Sequence, residues 1–564
     1  SNTPIQVGDT LYSCTPFNKI YAINAETGEE RWSYDSKATS PAWQRCRGVA
    51  YYESETAVEE CRTRIVMSTI DARLIEVDAE TGTPCPQFGD NGQLDLRIGM
   101  GEVKPGFYYT TSQPTVTEGL VILGGFVADN VEVGEPSGVV RAFSAETGDL
   151  VWAWDLGNPA NTGAAPPEGY TRGTPNMWSN PAVDEDLGMI YLPIGNSTPD
   201  FWGGQRTEAA DAYNTSVAAL DIRTGREVWH QQLVHHDLWD YDNASQPALY
   251  DFQDGTGGTT PAVIQMTKTG QIFVMDRRTG EMLIDVEERP VPAGKAEGER
   301  YSPTQPFAVG MPMIGSTTLT EADMWGATPI DQMLCRIAFR ELRYDGPFTP
   351  PGEDASLLWP GFYGGMNWGS ASIDPARDYL IFNDIRVAQR IQLIPREQTQ
   401  SYVDGGGHSG FSGQTGTPYG VTKVNFMSPL GIPCQKPPFG TMTAVDLKTR
   451  QIAWQVPLGT VQDTGPLGIK MGLPIPVGMP TLGGPVTTSG GVVFFAGTQD
   501  FYLRAMDVET GKELWKARLP VGANATPMSY VSPESGDQFV VISAGGARDS
   551  ADVGDYVIAY KLKK

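Results

Sequence analysis

Short apolar runs closed by turn residues recur along the chain. "IYAINAETGEERW" at 20–32, "LIEVDAETGTP" at 74–84, "VRAFSAETGDLVW" at 140–152 and "VAALDIRTGREVW" at 217–229 share one cadence. It continues as "IFVMDRRTGEML" at 272–283, "MTAVDLKTRQIAW" at 442–454 and "LRAMDVETGKELW" at 503–515. Each predicts an apolar strand that often ends in Asp, then a turn, then a second strand. The x-T-G triplet supplies a glycine tolerant of positive φ, and the second strand usually carries a Trp.

The turn threonines stand at 27, 81, 147, 224, 279, 449 and 510, so successive gaps run from 54 to 77 residues except for one of 170. A four-stranded unit of about 60 residues that buries its faces only against neighbouring units is the blade of a propeller. The long gap predicts one untagged blade around "SASIDPARDYLIFND" at 370–384. It also holds irregular Pro/Gly-rich insertions at about 288–330 and 386–435. The expected fold is all-β: a single eight-bladed β-propeller over 1–564 with long irregular insertions. Its last strand, at 556–564, should complete a blade begun at the N-terminus, and the repeated Trp side chains should pack between blades.

Composition agrees with short strands and many turns: 564 residues, 40% hydrophobic, with Gly 65 and Pro 43. Lys+Arg 41 against Asp+Glu 67 gives a net charge of −26, which argues against nucleic acid and anionic lipid as partners. No run of eighteen apolar residues exists, so no membrane span is expected. The chain begins at Ser1 without Met or a charged-then-apolar leader, consistent with a removed export signal or membrane anchor and a periplasmic location. Six cysteines with no CxxC or CxxCH exclude a zinc ribbon and a covalently attached c-type haem. Disulfides within 14–85 and between 335 and 434 are favoured, with the pairing open.

The densest chemistry is "HHDLWDYD" at 235–242, with two histidines, a tryptophan and three carboxylates. Together with the Trp-bearing repeats, this octet resembles the quinoprotein alcohol dehydrogenases that bind pyrroloquinoline quinone (PQQ). The phrases "VGDTLYSCTP" at 7–16, "CRGV" at 46–49, "SPTQPF" at 302–307, "DMWGAT" at 323–328 and "GDYVIAY" at 554–560 are similar to the membrane-type glucose, quinate and shikimate branch. The absence of adjacent cysteines separates the chain from the methanol-dehydrogenase branch.

The resemblance implies roles for individual residues. Asp240 is the expected base for the hydroxyl proton, ionised beside a divalent cation. Lys268 is expected at the quinone oxygens and Trp178 as the stacking floor. Asp129, Asn130, Asn196, Thr198 and Asp240 would hold Ca2+ or Mg2+, a hard cation on oxygen ligands. Arg47, Thr111, Ser112, Asn383, Gly459 and Asp500 align with segments around the quinone carboxylates and carbonyls. His235 and His236 are expected to mount the Asp240 turn.

Two departures bear on the substrate. Where glucose enzymes carry histidines, this chain has Trp43 and Ala547, with Arg548 following. A pocket with one large aromatic and one methyl in those places favours a cyclic secondary alcohol of quinate or shikimate type, or a bulkier fused-ring alcohol, over glucose. With no haem motif, electrons should pass to an external quinone or cytochrome c. The competing readings are an aldose dehydrogenase and a non-enzymatic propeller scaffold.

Overall fold

The structure is a computed structural model and describes all residues except 1, 58, 254–257, 316–317, 404–409, 549 and 563–564. Its strands form an all-β propeller of antiparallel meanders, in chain order over 5–35, 50–95, 115–154, 182–232, 248–276, 371–457, 486–518 and 528–561. The sheets at 248–276 and 528–561 have three described strands; the others have four. The untagged unit at 370–384 is present as the strands Ala371–Asp374 and Tyr379–Ile385.

The repeated turn explains itself locally. Asp221 Oδ1 accepts the amides of Arg223 and Thr224, and Gly225 N–H returns to the Asp221 carbonyl. Gly225 closes the turn at φ 66°, where a side chain is disfavoured. Asp78 and Asp507 act in the same way, with Gly82 and Gly511 as the closing residues. Where the second strand of a unit carries a Trp, it faces an Ala on the preceding strand, as in Ala142↔Trp152 and Ala219↔Trp229, and a register shift follows each time.

That Trp then reaches the next sheet. The Trp152 indole N–H donates to the Ile222 carbonyl at 2.7 Å, and its ring covers Gly225 so closely that a Cβ there would lie 2.5 Å from it. Trp32 on Gly82, Trp229 on Gly280 and Trp454 on Gly511 repeat the clasp. Trp515 departs from it: it is 42% exposed and leans on Tyr560. The core is accordingly a ring of apolar seams between neighbouring sheets, such as the one that joins Trp152, Ile190, Leu192 and Leu220.

Two expectations are corrected. The terminal strand does not complete the N-terminal sheet. Val553–Lys561 pairs with Gln538–Gly546 in a long hairpin, and the N-terminal sheet already supplies four strands of its own. The seam between the two is made by side chains: Asn2 Nδ2 donates to Ser543 Oγ, Gln6 Nε2 to the Val531 carbonyl, and Tyr530 Oη to the Ala25 carbonyl. Nor is 386–435 wholly irregular. Gln389–Pro395, Gly410–Ser412 and Tyr419–Asn425 join Ser356–Leu358 in an extra four-stranded sheet, because alternate residues such as Tyr419 and Val421 bury against Phe201 and Phe362. Disulfides join Cys14 to Cys46, Cys61 to Cys85 and Cys335 to Cys434. Among the described residues no helix is long and apolar enough to cross a membrane.

Candidate active site

The octet at 235–242 is a tight loop built around its first carboxylate. Buried Asp237 accepts the Trp239 and Tyr241 amides and the Thr215 hydroxyl, which folds the chain back on itself and turns Asp240 outward at φ 58°. His236 is clamped between Asp211, at 2.8 Å, and Glu299, at 2.9 Å. Burial alone would lower its pKa, but these two carboxylates raise it. His235 bonds Gln232 and Glu288. Both histidines mount the loop, as expected.

Lys268 meets the loop from the side. Its Nζ donates to the Asp240 carbonyl at 2.7 Å, to Asp240 Oδ1 at 2.8 Å and to Asp242 Oδ2 at 2.8 Å. Burial works against the ammonium, yet the two carboxylates raise its pKa above the ordinary lysine value. The Asp240 carboxyl is shifted in the same contact. Burial, then the charges of Asp242 and Asp200, push its pKa well above the usual range despite Lys268. Asp242 also accepts the Asn196 amide at 2.5 Å, and with Lys268 this holds its pKa low against burial.

These groups line a cavity of about 1050 Å³, together with Arg47, Thr111, Trp178, Asp129, Asn196, Thr198, Trp43 and Arg548. On one side the Arg47 guanidinium sits between two indoles, 5.3 Å from the Trp178 ring and 4.7 Å from the Trp368 ring. Among the described residues no carboxylate pairs with it. Removal from water, reinforced by Arg45, pulls its pKa down to about 9. Thr111 lines this space and Ser112 does not; both hydroxyls donate to the Trp178 carbonyl, at 2.5 and 2.7 Å, and so fix the segment that carries the indole.

The oxygen-rich end holds a carboxylate that sequence reasoning missed. Asp200, at the end of "IGNSTPD", is 4% exposed and lines the cavity beside Asp129. Asn130 Nδ2 donates to Asp200 Oδ2, and Asn130 Oδ1 accepts the Asp200 amide. Asn130 itself is fully buried behind the wall, so its amide orients Asp200 and is not turned into the cavity. Burial and then the charges of Asp129 and Asp242 drive the Asp200 pKa well up. Thr198 lines the cavity and donates its hydroxyl to buried Glu135 at 3.0 Å.

The remaining expected residues lie off the cavity wall. Asp500 is locked in a buried pair with Arg504 and accepts the Thr460 amide. Asn383 donates to Thr481, and its buried Oδ1 has no hydrogen-bond partner among the described residues. Gly459, at φ 84°, packs on Met479 and Thr498, and Ala547 packs behind the wall against Gly522.

The profile of the PQQ glucose/ethanol/alcohol dehydrogenase β-propeller domain matches residues 1–540. The chain belongs to the PQQ-dependent dehydrogenase family. It is 51% identical to the quinate/shikimate dehydrogenase (quinone) of Acinetobacter baylyi over all of this chain and 73% of that protein. It is 43% identical to the quinoprotein glucose dehydrogenase of Escherichia coli, over 99% and 72% respectively. The fold is also that of the Comamonas testosteroni quinohemoprotein alcohol dehydrogenase, with a TM-score of 0.67 at 22% identity, covering all of this chain and 74% of that one. As a PQQ-dependent dehydrogenase the chain is an oxidoreductase acting on CH–OH donors.

The cavity suits that cofactor on its own terms. A flat, polyanionic ring system needs aromatic faces and a fixed cation, and Trp178, Trp368 and the carboxylate-free Arg47 supply them. Asp129, Asp200 and Asp240, with the neutral oxygens of Asn196 and Thr198, offer the donor set of a hard divalent cation. Among the described residues no three carboxylates or imidazoles converge on one point, so the neutral oxygens are needed to complete such a shell.

Proposed function

We propose that this protein is a PQQ- and divalent-metal-dependent dehydrogenase that oxidises a carboxylated cyclic polyol of quinate or shikimate type to the ketone. Its proposed setting is the periplasm, with a quinone as electron acceptor, on a single domain of eight blades. The observation that carries the chemistry is Lys268 holding Asp240 and Asp242 at the wall of the indole-lined cavity. The meander sheets, taken in chain order, and the apolar seam of Leu11 and Ala25 with Tyr530, Phe539 and Val541 support an eight-fold ring. Three disulfides support an oxidising compartment.

PQQ supplies the two-electron acceptor for the hydride that leaves the alcohol carbon. The residues do the rest. Asp240 takes the hydroxyl proton, and Lys268 fixes the direction of its carboxyl group. Asp240 must be ionised to do so, and in this cavity that needs more positive charge than Lys268 provides. A calcium or magnesium ion held by Asp129, Asn196, Thr198, Asp200 and Asp240 would provide it. Arg47 balances the cofactor's carboxylates, and the Trp178 and Trp368 faces exclude water from the ring. Trp43, 66% exposed, stands at the cavity rim, and Arg548 lies 3.8 Å above the Tyr363 ring, which shapes a rim for a ring-shaped anionic alcohol.

The test is reconstitution with PQQ and Ca2+ followed by dye reduction with quinate, shikimate, glucose and cyclohexanol. Quinate or shikimate should give the highest kcat/KM, and Asp240→Asn should lower kcat by about 10³-fold while PQQ still quenches tryptophan fluorescence. Full activity in Asp240→Asn, or glucose as the sole substrate, would refute the reading.

A further inference from the structure

Lys423 is a buried ammonium that the chemistry above leaves unused. It lies on Tyr419–Asn425, a strand of the extra sheet outside the repeated blades, and alternation along that strand turns Tyr419, Val421 and Lys423 to the buried face. Only 2% of the residue is exposed, yet it lines the same cavity as Asp240 and Lys268. Its Nζ lies 5.0 Å from the Phe201 ring and 5.5 Å from the Phe362 ring. Among the described residues its side chain makes no hydrogen bond and no ion pair. Asp240, Asp242 and Lys268, which line the same cavity, are by contrast bonded to one another.

Its charge acts on Asp200 without forming an ion pair with it, pulling that carboxyl down against burial. A buried cation that packs on aromatic faces and completes no ion pair is incompletely solvated, and a ligand anion is a strong partner for it to acquire. Lys423 also belongs to one wall with the residues that suggest a ring-shaped substrate. Phe362 packs on Tyr363, with centroids 4.7 Å apart, and Arg548 covers Tyr363. Arg47 and Lys268 face the indole side, so the two cations near the indoles and the one among the phenyl rings occupy different parts of the cavity.

We propose that Lys423 is the specificity-determining residue for an organic carboxylate, and that the carboxylate is the substrate's. This inference rests on the quinate-type reading of the site. It places the acid group of the substrate on the extra sheet and its reacting hydroxyl at Asp240. An insertion with no part in the blade repeat thereby selects the substrate.

The holoprotein, loaded with PQQ and Ca2+, tests this with Lys423→Met, which keeps the volume among the phenyl rings, and with Lys423→Arg, which restores the charge. Quinate is compared with 1,2-cyclohexanediol, a ring alcohol without a carboxylate, and cyclohexanecarboxylate is the competitive inhibitor. In Lys423→Met the KM for quinate and the Ki of cyclohexanecarboxylate should rise about 10- to 100-fold, with the KM for the diol changed less than about threefold. Lys423→Arg should recover part of the loss. If the Kd for PQQ rises in Lys423→Met instead, the carboxylate belongs to the cofactor and the proposal falls. If Ca2+ affinity changes instead, Lys423 serves Asp200 and the proposal likewise falls. A wild-type preference for the carboxylate that survives Lys423→Met overturns the assignment alone. A wild type indifferent to the carboxylate in both KM and Ki overturns the quinate-type reading as well.

Discussion

Lys268 donates to both the main-chain and the side-chain oxygen of Asp240, at 2.7 and 2.8 Å, so one ammonium fixes the backbone and the carboxyl of the same residue. Lys268→Met leaves Asp240 and Asp242 buried without their cation. Urea unfolding should show a loss of about 3 kcal/mol, and dye-coupled kcat should fall about 10³-fold.

Ca2+ should stabilise the apoprotein. At 100 times Kd the gain is about 2.7 kcal/mol, read as a rise in Tm. Asp200→Asn should weaken calcium binding about 10-fold or more by calorimetry, because it removes a carboxylate that Asn130 holds at the cavity wall. An equal calcium affinity in the variant would remove Asp200 from the metal shell.

Glu76 predicts a pH dependence remote from the cavity. It is fully buried on Arg64, and burial, with Glu146 sharing the same guanidinium, pushes its carboxyl up to about 8. The folded state therefore binds this proton more tightly than the unfolded state. The resulting stabilisation is complete below the ordinary glutamate pKa and is lost as pH rises toward 8, at up to about 1.4 kcal/mol per pH unit. Urea midpoints at pH 5 and pH 8 should differ more for the wild type than for Glu76→Gln.

The Trp clasp gives a paired prediction. Gly225 and Gly119 both have positive φ, but a Cβ on Gly225 would strike the Trp152 ring while one on Gly119 would meet nothing within 4 Å. Gly119→Ala should cost about 1 kcal/mol, and Gly225→Ala about 2–4 kcal/mol. Thermal unfolding of the two variants measures the difference as that between clasp and turn.

The blades were legible because one local device recurs, a polar residue (Asp in five of the seven turns) followed by x-x-Thr with Gly closing all but one, and because the Trp that usually follows packs on the next blade's turn. The extra sheet was not legible, since no such turn marks it and its strands are held by contacts with the distant Phe201 and Phe362. In the site, Asp240, Lys268, Trp178 and Asp129, singled out from short motifs, all line the cavity. Asn130 was misleading: adjacency to Asp129 suggests a ligand, but its amide is bonded to Asp200. Asp200 had no signal beyond one more Asp in a turn. Lys423 did have one, a lysine at the third inward position of an alternating strand, but it is readable only once the inward face is known.

The Cys14–Cys46 bridge has a bearing on Arg47, the next residue along. The guanidinium between the two indoles is one peptide unit from a covalent tether to a strand whose Cys14 itself lines the cavity. The segment that carries the cation is therefore immobilised when the thiols are oxidised, before any anion arrives. A closed bridge should lower the loop-ordering cost of binding an anion at Arg47, so that oxidation before loading favours the cofactor.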